Sequence, residues 1–330
     1  MRYRNHHRRQ GQGGGGHGGH GGHGGGHGGG GRGNPQPPRR SDAEEKFIQR
    51  TPLTPFEWIE MEKGSKEPAM RAVDLLSPVG KGTRGLIVSP PKAGKTTILK
   101  QFCQAAAASD PKLKILCFLV DERPEEVTDF RRSVTAEVFA SSNDQGFQEH
   151  IRMSENVYQK ALSLAVEGND VLIVLDSLTR LARAYNTGTS GSKTLSGGLD
   201  SRAMETPRKF FGAARKIEEG GSITILATIL VDTGSRMDEV IFQEFKGTGN
   251  MELVLSRQAA EARVFPAIHV KNSGTRREEL LLPEKTLQTS WKLRRLLAGM
   301  SDIEATKTVT ELIRRYPTNE KLLAAVESGG

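Results

Sequence analysis

The chain has 330 residues, enough to bury a large core, and a formal net charge of +8. Seven arginines and no acid fall in residues 1–40, so the rest of the chain carries only +1 (8 minus 7) and must contact nucleic acid, if it does, through local patches. Two cysteines are too few for a disulfide framework, no run approaches the ~18 apolar residues of a membrane span, and no apolar segment follows the basic start; together these point to a reducing cytoplasm.

Residues 1–46 are low in complexity: Arg2, Arg4, Arg8 and Arg9 precede Gly-Gly-His repeats through Gly33, and Pro35 to Arg40 follow. Without apolar periodicity, disorder is expected over 1–46 and a folded domain over 47–330, with ordered structure starting near Thr51. His17, His20, His23 and His27 are spaced either for a transition metal or for a plain solvated spacer. The arginines suit loose phosphate contact with RNA.

The apolar run Gly85 to Val88 leads into Ser89-Pro90-Pro91-Lys92-Ala93-Gly94-Lys95-Thr96, and a helical run follows from Thr96 to Ala108. Strand, tight loop and helix opening on Gly-Lys-Thr form the setting of a phosphate-binding loop. Backbone N–H groups converge at the helix start, with the positive end of the helix dipole behind them. Gly94 allows close approach of the main chain, Lys95 is placed to reach the β- and γ-phosphates, and Thr96 to ligate Mg²⁺. Ser89 stands where such loops have Gly, and Pro90 and Pro91 stiffen the turn.

Further along, Lys114 to Asp121 is an apolar, β-rich run, 124–132 is helical in pattern, and Ala136 to Ala140 is a short strand. Asn156 to Val166 carries a Leu/Ala helical face, Asp170 to Asp176 is an apolar strand ending in Asp, and Ser222 to Val231 is a third long strand. The segment Glu284 to Val326 is helical, with Leu293, Leu296 and Leu297 expected on one side. Cys103 and Cys117, on a helix and a strand, fit small core positions. Apolar strands without alternation, separated by helices, predict an α/β fold: a mostly parallel sheet covered by helices, with a helical C-terminal segment.

Ligands of such sheets sit beyond the carboxyl ends of strands, where the phosphate loop, Glu122 and Asp176 all fall. Asp176 is placed to hold the Mg²⁺ shell, because Ser177 is available to cap the next helix in its stead. Glu122 is placed either to polarise an attacking water or to pair with Arg123. Arg123, Arg180, Arg183, Arg263 and Arg276 supply phosphate or interface charges, and Phe265, before Pro266, suits stacking on a base or ordinary packing. Two polar Gly-rich loops, Asn186 to Asp200 and Asp232 to Asp238, have the hydroxyls and cations that suit a sugar–phosphate backbone.

Several runs carry a resemblance to a known family. They are Gly85-Leu-Ile-Val-Ser-Pro-Pro-Lys-Ala-Gly-Lys-Thr96, Val120-Asp-Glu-Arg-Pro-Glu-Glu-Val127, Leu175-Asp-Ser-Leu-Thr-Arg-Leu-Ala-Arg-Ala-Tyr-Asn186, Phe210-Phe-Gly-Ala-Ala-Arg215, Phe245-Lys-Gly-Thr-Gly-Asn-Met-Glu-Leu253, Arg263-Val-Phe-Pro266 and Ser273-Gly-Thr-Arg276. Over about residues 50–327 the chain resembles the ATPase domain of the transcription termination factor Rho family, ring-forming RecA-type RNA helicases. The resemblance implies a RecA-like P-loop core, ATP and Mg²⁺ as ligands, a homohexamer, and single-stranded nascent RNA and RNA polymerase as partners. It implies an ATP site lined by Gly80, Lys81, Gly82, Thr83, Arg84 and Gly85, by Lys92, Ala93, Gly94, Lys95, Thr96 and Thr97, and by Arg123, with Phe265 on the adenine. By the same matching Glu122 activates water, Thr96 and Asp176 hold Mg²⁺, and Arg276 is the finger of a neighbouring subunit. Lys193, Thr194, Ser196, Gly197, Gly198 and Arg236 match pore loops that grip RNA, with Ser196 for the usual Thr and Arg236 for the usual Lys.

The family also has a helical segment and a cold-shock-like RNA-capturing domain of five strands, which residues 1–46 cannot form. Three readings stay open: the loading site is missing, the Arg/Gly/His tail replaces it, or the chain start is incomplete. The implied activity is an ATP-driven RNA translocase that ends transcription. The alternatives are a nucleotide-regulated RNA-binding ring that does not translocate, and a rotary-type ATPase subunit.

Overall fold

The computed structural model describes residues 40–189 and 196–328. Order starts earlier than the expected Thr51. Helix α1 (Asp42–Gln49) is capped by Ser41, whose side chain accepts from the Glu44 N–H, and Phe47 buries against the main body. The boundary expected at 46 therefore falls inside a helix. A short strand β1 (Pro52–Leu53) and helices α2 (Met61–Gly64) and α3 (Pro68–Leu76) lead to β2 (Arg84–Ser89), which feeds the phosphate loop.

The core then alternates. Helix α4 (Lys95–Ser109), β3 (Lys114–Glu122), α5 (Pro124–Ser133), β4 (Glu137–Ser142), α6 (Phe147–Val166) and β5 (Asp170–Asp176) follow in order. After α7 (Leu178–Gly188) come α8 (Glu205–Gly212), β6 (Arg215–Ile217), β7 (Ser222–Leu230), α9 (Arg236–Phe245), β8 (Met251–Val254), α10 (Arg257–Glu261) and β9 (Gly274–Thr275). The chain closes with α11 (Glu284–Ala298), α12 (Asp302–Arg315) and α13 (Asn319–Ser328). Helix α6 begins nine residues before the expected Asn156, because Gly146 supplies an extended N-cap and His150 already faces inward.

The strand order is β4-β3-β5-β7-β2-β8-β9, parallel from β4 to β8, with β9 antiparallel on β8 and β6 antiparallel on β7. Strand β3 shows why its sequence lacks alternation. Ile115, Cys117 and Leu119 pack with α3, α4 and the C-terminal helices, while Leu116, Phe118 and Val120 pack with α6 and α7 on the other face. Both faces are buried, so both sets are apolar. The Sγ atoms of Cys103 and Cys117 lie 3.3 Å apart in this core, as free thiols. On α11 Leu293 and Leu297 are buried as expected, but Leu296 is 57% exposed. A residue three positions after 293 and one before 297 drifts off a stripe that the i, i+4 pair defines. No helix among the described residues is long and apolar enough to cross a membrane.

A buried cation helps to hold α12 and α13 to the core. Arg71 on α3 donates to the carbonyls of Ile313 and Tyr316 and to the Asn319 side chain, and pairs with Glu62 at 3.0 Å. Glu62 in turn accepts from the Asn319 N–H. Replacing Arg71 by Met strands the Glu62 charge. The expected cost is ~3–5 kcal/mol by denaturant unfolding, and a loss under ~1 kcal/mol would show that the network does not clamp the helices.

Candidate functional site

The phosphate loop is built by the end of β2. Gly94 sits at φ +92° as the N-cap of α4 and makes no side-chain cap bond, so the first N–H groups of the helix stay free for an anion. A Cβ there would meet only Phe265 Cε1, at 3.9 Å, so backbone conformation rather than crowding by the protein requires glycine. Lys95 Nζ lies 2.6 Å from Asp176 Oδ1 at the end of β5. The Thr228 hydroxyl of β7, the strand between β2 and β5, donates to the same oxygen at 2.8 Å. Ser177 Oγ accepts from the Arg180 N–H and caps α7, which leaves the Asp176 carboxylate free of that duty, as its position in the sequence implies.

Glu122 closes β3 and is buried. The β3–β4 register shifts between Val120 and Glu122, and Asp121 takes φ +54°. This bulge adds a residue to the strand and turns Glu122 toward the Lys95–Asp176 pair. Its ion-pair partner is not the exposed Arg123, which gives only its backbone N–H, but Arg180 of α7, whose Nη1 donates to Glu122 Oε2 at 2.9 Å and also to the Asp121 carbonyl. Burial pushes the Glu122 carboxyl above its ordinary range, Arg180 and Lys95 draw it back, and Asp176 raises it further.

Beside the loop a cavity of about 490 Å³ is lined by Lys92, Ala93, Gly94, Thr97 and Phe265, whose ring is 41% exposed. The expected base-stacking residue and the phosphate loop are thus brought together. Glu67, Gln101 and Arg314 share this cavity, and the sequence reading missed them because they come from the N-cap of α3, from α4 and from α12 without a local motif. The Thr96 hydroxyl and the Asp176 carboxylate are hard oxygen donors that fit Mg²⁺, which takes few protein ligands and fills its shell with phosphate and water. Among the described residues no group of three or more His, Cys, Asp or Glu side chains is arranged to hold a metal.

A second surface forms where the turn at 196–198, which follows α7, meets the loop after β7. Gly197 packs on the start of α9, where an added Cβ would lie 3.1 Å from the Arg236 carbonyl, and Gly197 and Gly198 both take positive φ. Asn186 ties the turn down, donating to the Gly198 carbonyl at 3.1 Å and accepting from Asp200 N–H at 2.8 Å. Gly197, Gly198 and Arg236 are therefore adjacent. Lys193 and Thr194 lie outside the described residues, and of Ser196 only the backbone is described, opening a 3₁₀ turn.

The description of the nucleotide-binding domain of the ATP synthase alpha/beta family matches residues 69–275. Solved structures of similar fold include a prototypical ATPase of the type III secretion system of pathogenic bacteria, at TM-score 0.69 and 22% identity over 85% of this chain and 86% of that one. Another is the assembled ATPase EscN of enteropathogenic E. coli, at TM-score 0.68 and 22% identity over 84% of this chain and 72% of that one. The transcription termination factor Rho of Pseudomonas aeruginosa is 50% identical over 285 residues, 85% of this chain and 68% of the relative. The chain belongs to the transcription termination factor Rho family. The Rho of Haemophilus influenzae is 49% identical over 89% of this chain and 71% of its own length. The Rho of Micrococcus luteus is 51% identical over 89% of this chain, which spans only 42% of that relative.

One group of expected residues is not at the phosphate loop of this Rho-family chain. Gly80 to Gly85 precede or open β2, whereas the loop leaves its other end, some 17–20 Å away for six extended residues. There Lys81 pairs with Asp170 at 2.7 Å and Asp110 at 3.0 Å, Thr83 Oγ1 accepts from the Gly80 N–H, and Gly82 at φ +96° is pressed against the backbone at Lys216. They shape the turn into β2 and do not line the ATP site of their own chain. Arg276 lies at the same end: its N–H donates to the Asn250 carbonyl, while Asn250 Oδ1 accepts from the Arg84 N–H. Arg84, Arg215 and Arg276 cluster there, and burial followed by these two neighbouring charges lowers the Arg84 pKa. Arg276 therefore lies away from the phosphate loop of its own chain.

The Glu122 environment is directly measurable. Side-chain carbonyl NMR titration is expected to place Glu122 above the ordinary ~4.3. Arg180→Ala should move it higher still, since the lost cation favoured the ionised form; a Glu122 titrating at or below the ordinary value would contradict this arrangement.

Proposed function

We propose that this chain is an ATP-driven RNA translocase that assists transcription termination. One observation supports the reading best: Lys95, Asp176 and Glu122 converge at the carboxyl ends of strands, the loop to Arg236 leaves the same end of β7, and the turn at 196–198 packs against Arg236. A change at the nucleotide therefore has a short route to the surface proposed to grip RNA. The named relatives are termination factors, and the family's nucleotide-binding domain supports ATP as the fuel.

In this reading the α4 N–H groups and Lys95 bind the phosphates, and Lys95 exchanges its carboxylate partner for phosphate oxygens. Thr96 and Asp176 would hold Mg²⁺, which when bound supplies positive charge to the β- and γ-phosphates. Glu122 in its ionised form accepts a hydrogen bond from the attacking water and orients it in line with the γ-phosphate. Arg180, bonded to both Glu122 and the β3 backbone, holds that carboxylate in place. Arg276 reaches the γ-phosphate of a neighbouring copy, so the working form is a closed ring, a homohexamer by the family's pattern. Lys193, Thr194 and Ser196 belong with Gly197, Gly198 and Arg236 on the RNA surface. Single-stranded nascent RNA, an RNA polymerase elongation complex and the cytoplasm complete the proposal.

The test is poly(C)-stimulated ATP hydrolysis by the purified chain. Lys95→Ala should reduce it ~10²–10³-fold or more; near parental turnover would remove Lys95 from the site. Arg276→Ala should fold and bind ATP yet lose RNA-stimulated hydrolysis ~10³-fold or more. Mixed with Lys95→Ala chains, which keep their arginine, it should regain a fraction of activity. Normal RNA-stimulated hydrolysis by Arg276→Ala alone would refute a role in trans.

A further inference from the structure

Two consecutive glycines let the turn at 196–198 fit closely on α9, and they leave it without a strong conformation of its own. Gly197 takes φ +76° and Gly198 φ +81°, and a Cβ on Gly197 would lie 3.1 Å from the Arg236 carbonyl and from the Met237 nitrogen. Glycine is required for that approach, but it visits both signs of φ about as readily, so the register of the turn has to be imposed from outside. The side chain of Asn186, near the end of α7, imposes it. Its Nδ2 donates to the Gly198 carbonyl at 3.1 Å, and its Oδ1 accepts from the Asp200 N–H at 2.8 Å. The same Nδ2 lies 4.0 Å from Met237 Sδ, next to Arg236 on α9.

The chemistry of this clasp is specific to a short primary amide. The Gly198 carbonyl only accepts and the Asp200 N–H only donates, so the partners fix which way the amide points. Asp in its place would offer two acceptors and set a carboxylate against the Gly198 carbonyl. Gln would carry the donor and acceptor one methylene further out. The support beneath the clasp is firm. Arg183, three residues earlier and a neighbour on the helix surface, forks onto the buried Asp238 of α9, with Nε donating at 2.8 Å and Nη2 to the second oxygen. The Thr233 hydroxyl donates to the same carboxylate at 2.7 Å. Arg183 therefore fixes the helix that begins at Arg236, and Asn186 fixes the glycine turn to the same element.

We propose that Asn186 is a positioning residue for RNA: its amide sets the turn at 196–198 in register with Arg236, so that both meet a single-stranded sugar–phosphate backbone as one surface. The inference rests on the proposed RNA role of these loops. Asn186 acts through the turn and not on the strand, since its carbonyl and one N–H are already used within the chain.

The experiment follows ATP turnover of the full chain against poly(C) concentration at saturating ATP, with nucleotide affinity taken from displacement of a fluorescent ADP. Asn186→Asp keeps the size and an acceptor of the side chain but loses the donor. It should raise the half-saturating poly(C) concentration ~5–20-fold, for one lost hydrogen bond and a repelled carbonyl. Turnover at saturating poly(C) and ADP affinity should stay within ~2-fold, the pattern of lost binding with the chemistry intact. Asn186→Ala, which removes both bonds, should show the same split. Arg236→Ala should raise half-saturation as well. Combined with Asn186→Asp it should fall short of the product of the two factors, because a turn out of register has already lost its joint contact with Arg236. Unchanged half-saturation in Asn186→Asp would overturn the inference. So would an equal loss of turnover and ADP affinity, or factors that multiply fully. A parental half-saturation in Arg236→Ala contradicts the RNA reading of these loops, whereas a raised one beside a parental Asn186→Asp contradicts this inference alone.

Discussion

Lys95 and Asp176 form an ion pair 2.6 Å long across the gap between α4 and β5, with the Asp176 side chain 3% exposed and that of Lys95 18%. Two charges this deep are tolerable only together, since removal of either leaves the other stranded at a cost of about 3–5 kcal/mol. The pair explains much of the surrounding design. Thr228 on the intervening strand adds a bond to the carboxylate, and Ser177 takes over the capping of α7 so that Asp176 need not. A phosphate arriving at the loop must offer Lys95 at least what Asp176 does, and the freed carboxylate then favours a cation. In the proposed function nucleotide and Mg²⁺ are thereby favoured jointly. The same pair contributes to the Glu122 titration, where Lys95 opposes and Asp176 adds to the larger upward effect of burial.

Much of the core was legible because its strands are buried on both faces. Asp170–Asp176 was read to the residue, since a run of Val, Leu and Ile between two Asp leaves no room for another register. The phosphate loop was legible for a similar reason: its chemistry is carried by contiguous residues. The N-terminal helix was not, although Ser41 followed by Glu44 is a start signal, because the residues before it are low in complexity and drew the boundary past it. The true partner of Glu122 was hidden by topology. Arg123 is adjacent in sequence, but the neighbouring strand order β3-β5 brings Arg180 to the carboxylate from 58 positions away. The residues of the base-side cavity, Glu67 and Arg314, are likewise joined only by the fold.

The sheet also separates what resemblance had grouped. Residues 80–85 and the phosphate loop are neighbours in sequence, yet a six-residue strand carries them to opposite ends of β2. Arg84, Arg215 and Arg276 gather at the end away from the loop, where Arg84 Nε is buried without a hydrogen-bond partner. Three guanidinium groups side by side repel one another and are stable there only if an anion or water shares the surface. In the proposed function, a chain with its phosphate loop at one end and a cationic cluster at the other is half of two sites, and its complement is another copy of itself.

That claim is tested most directly by following RNA-stimulated ATP turnover per chain as protein concentration falls, with assembly measured in parallel by sedimentation. If the site is completed between copies, turnover per chain follows the assembled fraction and vanishes with it, while nucleotide binding at the phosphate loop survives in the monomer. Full turnover by dispersed monomers would contradict the account, because it would place every catalytic group within one chain.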